Sequence, residues 1–166
     1  MIEQLAFGID LNIDPLWCAW FSGLIDGEGC FCIHKKPIGF GISAHLEIRM
    51  RVDETPYLKM ICNTLHCGTL SFSKDKRGGN YNPTSKISIA SISDIVNIII
   101  PILDRYPLRM KKQHDYKIWR EAAMLIHLSA HLNSNRDRVL ELKRMLSDVR
   151  KYRSPTEDEL LQQPSD

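Results

Sequence analysis

Asp26 and Glu28 stand two residues apart, with Gly27 between them and Gly29 behind, at the close of the apolar stretch Trp20-Phe21-Ser22-Gly23-Leu24-Ile25. That stretch opens at Asp14-Pro15, where Asp14 suits a helix N-cap and Pro15 the first helical position. Residues 15 to about 26 are therefore expected to form a helix, ended by Gly27 and Gly29. A helix C-terminus carries partial negative charge, so two carboxylates there are unfavourable unless a cation joins them. A hard divalent ion with oxygen ligands, Mg2+ being the commonest, would make the position a metal site; a solvated capping turn is the plainer alternative. Along the same helix Ala19, Ser22, Gly23 and Gly27 recur at steps of three or four residues. Such a stripe lets another backbone come close, so the helix is expected to pack against a second helix.

Past Gly29 the apolar period changes from helical to alternating. Phe31 and Ile33 fall on one side of a first strand, and Cys32, His34 and Lys36 on the other. After a glycine-rich turn over 37–41, the run from His45 to Val52 alternates without a break. Leu46, Ile48, Met50 and Val52 are expected inward, with His45, Glu47, Arg49 and Arg51 outward. A third strand, Thr69 to Lys74, sends Leu70 and Phe72 inward and Ser71 and Ser73 outward. A fourth, Lys86 to Ala90, sends Ile87 and Ile89 inward and Lys86 and Ser88 outward. The loop over 75–83, which carries Arg77, is basic and turn-rich, suited to reaching along a polyanion.

The remaining segments are helical. Tyr57 to His66 places Leu58, Ile61, Cys62 and Leu65 on one face and stops at Gly68. A core helix begins at Ser93-Asp94 and is interrupted near Pro101. A basic turn over 107–113 precedes a helix from His114 to His131, in which Trp119 reads as core rather than as a binding residue. The last helix, Arg136 to Tyr152, turns Val139, Leu142, Met145, Leu146 and Val149 inward. Residues 1–153 thus make one domain, and 154–166, with two prolines and four acids, read as a disordered tail.

The chain has 166 residues, 43% of them hydrophobic, enough to bury a core without staples. The five cysteines lack the paired C-x-x-C spacing of a zinc site, and reduced thiols are the simplest reading. No apolar run is long enough to span a membrane, and no lysine or arginine precedes Lys35, which argues against a signal or transit peptide. An intracellular protein is expected, in the cytoplasm of a prokaryote or in an organelle, not secreted. Net charge is only +2, but all 22 bases and 11 of the 20 acids lie between residues 34 and 153. That surplus of 11 suits a nucleic-acid partner bound by counterion release.

The nonapeptide from Phe21 to Gly29 resembles the signature of the LAGLIDADG homing endonucleases, matching it at Gly23, Leu24, Ile25, Asp26 and Gly29. Phe21, Ser22, Gly27 and Glu28 are mild substitutions. The element order also resembles that fold, an α+β architecture of α-β-β-α-β-β-α plus C-terminal helices around a four-stranded antiparallel, saddle-like sheet. The resemblance implies a homodimer, with two motif helices packed across a two-fold axis through Trp20, Ser22, Gly23, Asp26 and Gly27. Each copy would read half of a long pseudo-palindromic double-stranded DNA site, and together they would break both strands with the help of Mg2+, for which Mn2+ would substitute. Glu28 then corresponds to the metal-binding acid and the Gly27 carbonyl to an extra ligand, while Asp26 is structural or beside the metal. Glu54, with Asp53 as fallback, matches the polar residue that orders solvent, and Lys111 the base that neutralises phosphate charge. Cys32, His34, Lys36, His45, Glu47, Arg49, Arg51, Ser71, Ser73, Arg77, Lys86 and Ser88 are the expected DNA contacts. The same family includes RNA-binding intron maturases, and a DNA-binding regulator without chemistry is the third reading.

Overall fold

The computed structural model describes residues 12–35, 41–73, 82–129 and 133–151. Lys36, Arg77, most of the 75–83 loop and the 154–166 tail lie outside them.

Helix α1 runs from Pro15 to Glu28, with the Asp14 carboxylate accepting the Trp17 N–H at 3.1 Å. It is two residues longer than the glycines suggest, because neither leaves the right-handed region in the expected way. Gly27 is helical, and Gly29 is extended at φ −70° and begins strand β1, Gly29–Lys35. What position 29 requires is room: a Cβ there would come within 2.7 Å of the Ile25 carbonyl oxygen. The helix therefore passes into the strand without a loop.

Strand β2 is Ile42–Arg51, and a 3-10 turn over Val52–Glu54 leads into α2, Thr55–Leu65. Val52 belongs to that turn and is exposed, not inward as the alternation suggests. His66 and Gly68 then take positive φ, and at Gly68 the value of 94° favours glycine. Strands β3, Thr69–Ser73, and β4, Thr84–Ile89, complete an antiparallel sheet in the order β1-β2-β4-β3. β3 is an edge strand, and Phe72 near its end, paired with buried Ser85 and so on the inward side as expected, is nevertheless 64% exposed.

The apolar face of the sheet, Phe31, Leu46, Ile48, Ile87 and Ile89, is fully buried. After β4 the chain forms a helical turn at Ile92–Asp94 (α3), a wider π turn at Ile95–Ile99 and then α4, Ile100–Arg105. The Ile100 N–H reaches Ile95 O, five residues back, just before Pro101. Proline lacks a donor and crowds the carbonyl four residues earlier, and widening the preceding turn accommodates it without breaking the helix. Helix α5, Lys112–Ser129, packs on β1 and β2, and α6, Asn133–Val149, packs on α5. Trp119 on α5 is wholly buried, lies 4.9 Å from Phe31 ring to ring and donates its Nε1–H to Cys32 O. On α6, Val139, Leu142 and Leu146 are buried, but Met145 and Val149 face solvent rather than the core. Arg150 fastens the end of α6, pairing with Asp115 at 2.7 Å and donating to Phe31 O.

Candidate nuclease site and nucleic-acid interface

At the end of α1 the two carboxylates have different surroundings. Asp26 is turned into its own chain, where it accepts the backbone N–H of Arg109 at 2.7 Å and of Met110 at 3.1 Å. Those bonds anchor the 106–111 segment beside the motif, a positioning task. Glu28 is exposed. Among the described residues it belongs to no group of three His, Cys, Asp or Glu side chains close enough to share an ion.

The base that reaches the motif is Lys112. Its Nζ donates to the Gly27 carbonyl at 2.9 Å, whereas Lys111 is exposed. An extended, alternating Leu108-Arg109-Met110-Lys111 would put Arg109 and Lys111 on one side. The chain instead bends at Met110 and Lys111, whose carbonyls accept the N–H of Gln113 and His114, and α5 begins at Lys112. A helical start breaks two-residue alternation, so the residue that meets the Gly27 carbonyl is Lys112, the first of α5. The same bond occupies the Gly27 carbonyl considered above as a metal ligand.

Glu54 is partly buried at the N-terminus of α2, at the end of the sheet where α1 ends at Glu28 and β1 begins with Gly29 opposite Ile48. Asp53 is engaged by Arg51 at 2.7 Å in an exposed pair.

Of the stripe on α1, Ser22 is buried and donates its hydroxyl to Tyr106 O at 2.5 Å, so Ser22 and Asp26 hold the chain's own segment. Trp20, Gly23 and Gly27 are exposed, and a Cβ at either glycine would meet nothing within 4 Å. An open cleft beside them, about 260 Å³, is lined by Ala19, Gly23, Arg105 and Arg109 among others.

The second surface is the polar face of the sheet. Register places Cys32 across from His45, Glu47 across from Ser88, Arg49 across from Lys86, and Lys86 across from Ser71. Arg51 and Ser73 flank Thr84, and His34 lies diagonal to His45. Every one of these expected contacts within the described residues is at least partly accessible. The face is internally ordered. Lys86 pairs with Glu47 at 2.8 Å, Ser43 Oγ lies 3.0 Å from His45 Nε2, and the Cys30 and Cys32 sulfurs are 3.5 Å apart. Burial, helped by neighbouring His34, lowers the His45 pKa. The hydrogen bond from Cys32 pulls the Cys30 thiol down to about 6 and pushes that of Cys32 up.

The sequence model of the LAGLIDADG endonucleases matches residues 21–123, from the second half of the motif helix through the sheet and α2–α4 into α5. The chain belongs to that family. Its curated relatives include the probable intron-encoded endonuclease 2 of Neurospora crassa, 27% identical over 76% of this chain and 26% of that protein. An uncharacterized 50.9 kDa protein in ND4 intron 1 of Podospora anserina is 31% identical over 73% of this chain and 26% of that one. Among solved structures, the LAGLIDADG meganuclease I-AabMI bound to uncleaved DNA is 26% identical, with a TM-score of 0.67 over 88% of this chain and 47% of that one. The chain thus spans about a quarter of these curated relatives and under half of that structure. The LAGLIDADG nonapeptide and the element order were legible from sequence. The Lys112 contact, the Ser22 bond to Tyr106 and the double N–H grip of Asp26 were not. Each joins residues more than eighty positions apart, and no local pattern reports such pairs.

Proposed function

We propose that this chain is a site-specific homing endonuclease unit that binds double-stranded DNA through the polar sheet face and breaks both strands as a pair of copies. The observation that carries the reading is Glu28, an exposed carboxylate at the end of a helix whose stripe Trp20, Gly23 and Gly27 its own fold leaves uncovered. A second α1 laid along that stripe would bring two Glu28 carboxylates together, supplying what one copy lacks. The matched meganuclease is about twice the length that this chain covers, which suits a unit needing a second half.

All-oxygen donors fit a hard ion, so Glu28 is the residue to hold Mg2+, with Mn2+ able to replace it. Bound there, the ion would activate water and offset charge on the phosphodiester in transit. The protein's own groups do the rest. Lys112 and Lys111 bring positive charge to the phosphate, Asp26 fixes the segment that carries them, and Glu54 orders solvent at the same end of the sheet. The Gly27 carbonyl, which already accepts one bond from Lys112, keeps a second lone pair for the ion. On the sheet, Arg49 and Arg51 suit guanine edges or phosphates, and the serines and histidines suit either kind of base-edge group. Two copies imply a pseudo-palindromic site, one half per sheet. The working compartment is that of the DNA target, a prokaryotic cytoplasm or an organelle.

Selection of duplexes from a random library in Ca2+, followed by transfer of the winners to Mg2+, tests this. The expected outcome is a pseudo-palindrome that is then cut on both strands. Binding without cutting would support a regulator, and no selection of DNA would move the reading to an RNA-binding maturase.

A further inference from the structure

On the polar face of the β1–β2 ladder, in a group that does not include Glu28, three side chains of metal-ligating type converge. One ligand atom from each of His34, His45 and Glu47 lies within 4.8 Å of the other two. The backbone explains the grouping. Cys32 is opposite His45 and His34 opposite Ser43, so His34 sits diagonally across the β1–β2 ladder from His45. Glu47 follows His45 by two residues on one strand and therefore shares its face. The two imidazoles meet edge to face with ring centres 4.6 Å apart. The Ser43 hydroxyl, 3.0 Å from His45 Nε2, orients that ring, as polar neighbours of metal-binding histidines do.

We propose that His34, His45 and Glu47 form a binding site for a borderline divalent transition-metal ion, Zn2+ in the first instance, separate from the Mg2+ position at Glu28. Two nitrogens and one carboxylate oxygen are the donor set of a three-ligand zinc site with a fourth position open, whereas Mg2+ and Ca2+ prefer oxygen alone. Ligand atoms around tetrahedral zinc are roughly 3.3 Å apart, so the three must close by an ångström or so, within the reach of side-chain rotation on a fixed ladder. Lys86 already holds Glu47 Oε1 at 2.8 Å. The ion takes the other carboxylate oxygen or displaces that ammonium. This inference does not depend on the nuclease reading, since the site is complete within one chain.

The test uses the full chain, without a histidine tag and stripped of metal, titrated with Zn2+ by calorimetry and with Co2+ by visible absorption. One ion per chain and cobalt d–d bands of a four- or five-coordinate nitrogen–oxygen site are expected. Because His34 is exposed, His34→Asn should fold as the parent does, which circular dichroism checks, and weaken Zn2+ binding at least about tenfold, with Glu47→Gln behaving alike. Glu28→Gln should leave Zn2+ binding unchanged. Absence of Zn2+ binding, equal affinity in His34→Asn, or loss of affinity in Glu28→Gln would overturn the assignment. So would a thiolate-to-cobalt charge-transfer band, which would put the ion on Cys30 or Cys32.

Discussion

Across the polar face of the sheet, side chains satisfy one another: Lys86 on β4 meets Glu47 on β2, Ser43 meets His45 along β2 and Cys30 meets Cys32 along β1. At the end of α1 the arrangement is the reverse. Asp26 and Ser22 are consumed in holding the chain's own 106–110 segment, while Glu28, Trp20 and Gly23 are left to solvent. The difference teaches how the labour is divided. Register gathers side chains from every strand onto one surface, so a recognition face can be finished within one chain. A helix end projects one carboxylate in one direction, so under the proposed function the chemistry would need a second copy.

The largest expected effect falls at the unfinished end. Glu28→Gln should abolish cutting while leaving DNA affinity within about tenfold, because it removes a metal ligand and not a groove contact. Cleavage by the variant at the parent rate in Mg2+ would break the comparison. Next, Gly23→Leu should dissociate the paired form, read by light scattering, without loss of monomer stability. Gly23 has open space around it within the chain, and removing a helical glycine is worth up to about 1 kcal/mol in the monomer's favour. An undiminished dimer would show that α1 does not carry the contact.

Lys112→Met and Lys111→Met sharpen the same region. The former should slow single-turnover cleavage by about tenfold or more, and the latter less, since only Lys112 is fixed on the motif. The reverse order would identify Lys111 as the phosphate-neutralising base. The smallest effect belongs to the finished face, where contacts are many. Arg49→Ala should reduce the slope of log affinity against log salt by about 0.9 if Arg49 neutralises one phosphate, with cutting of bound DNA unchanged. A cleavage defect larger than the binding defect would blur the separation of the two regions.

The division also shows in what could be read in advance. Alternation over residues 45–51 gave the direction of each side chain on β2, because a strand's faces follow from position parity alone. It failed at Val52, which enters a 3-10 turn, and at Phe72 it gave the side but not the burial, because the edge strand is uncovered there. On α6 the stripe was right at Val139, Leu142 and Leu146 but too wide at Met145 and Val149, since the width of a buried face depends on how closely α5 sits.

By itself, then, the sequence determined the motif helix with its terminal acids, the element order and the polar composition of one sheet face. All three are local: they rest on spacing, caps and alternation, which a short window contains. Tertiary structure alone decided that Lys112 rather than Lys111 reaches Gly27, that Asp26 and Ser22 serve the fold, and that His34, His45 and Glu47 converge. Those outcomes depend on where α5 starts and on how β1 registers against β2. Both are set by the packing of Phe31 and Trp119 and by the pairing of whole strands, which no single window of residues encodes.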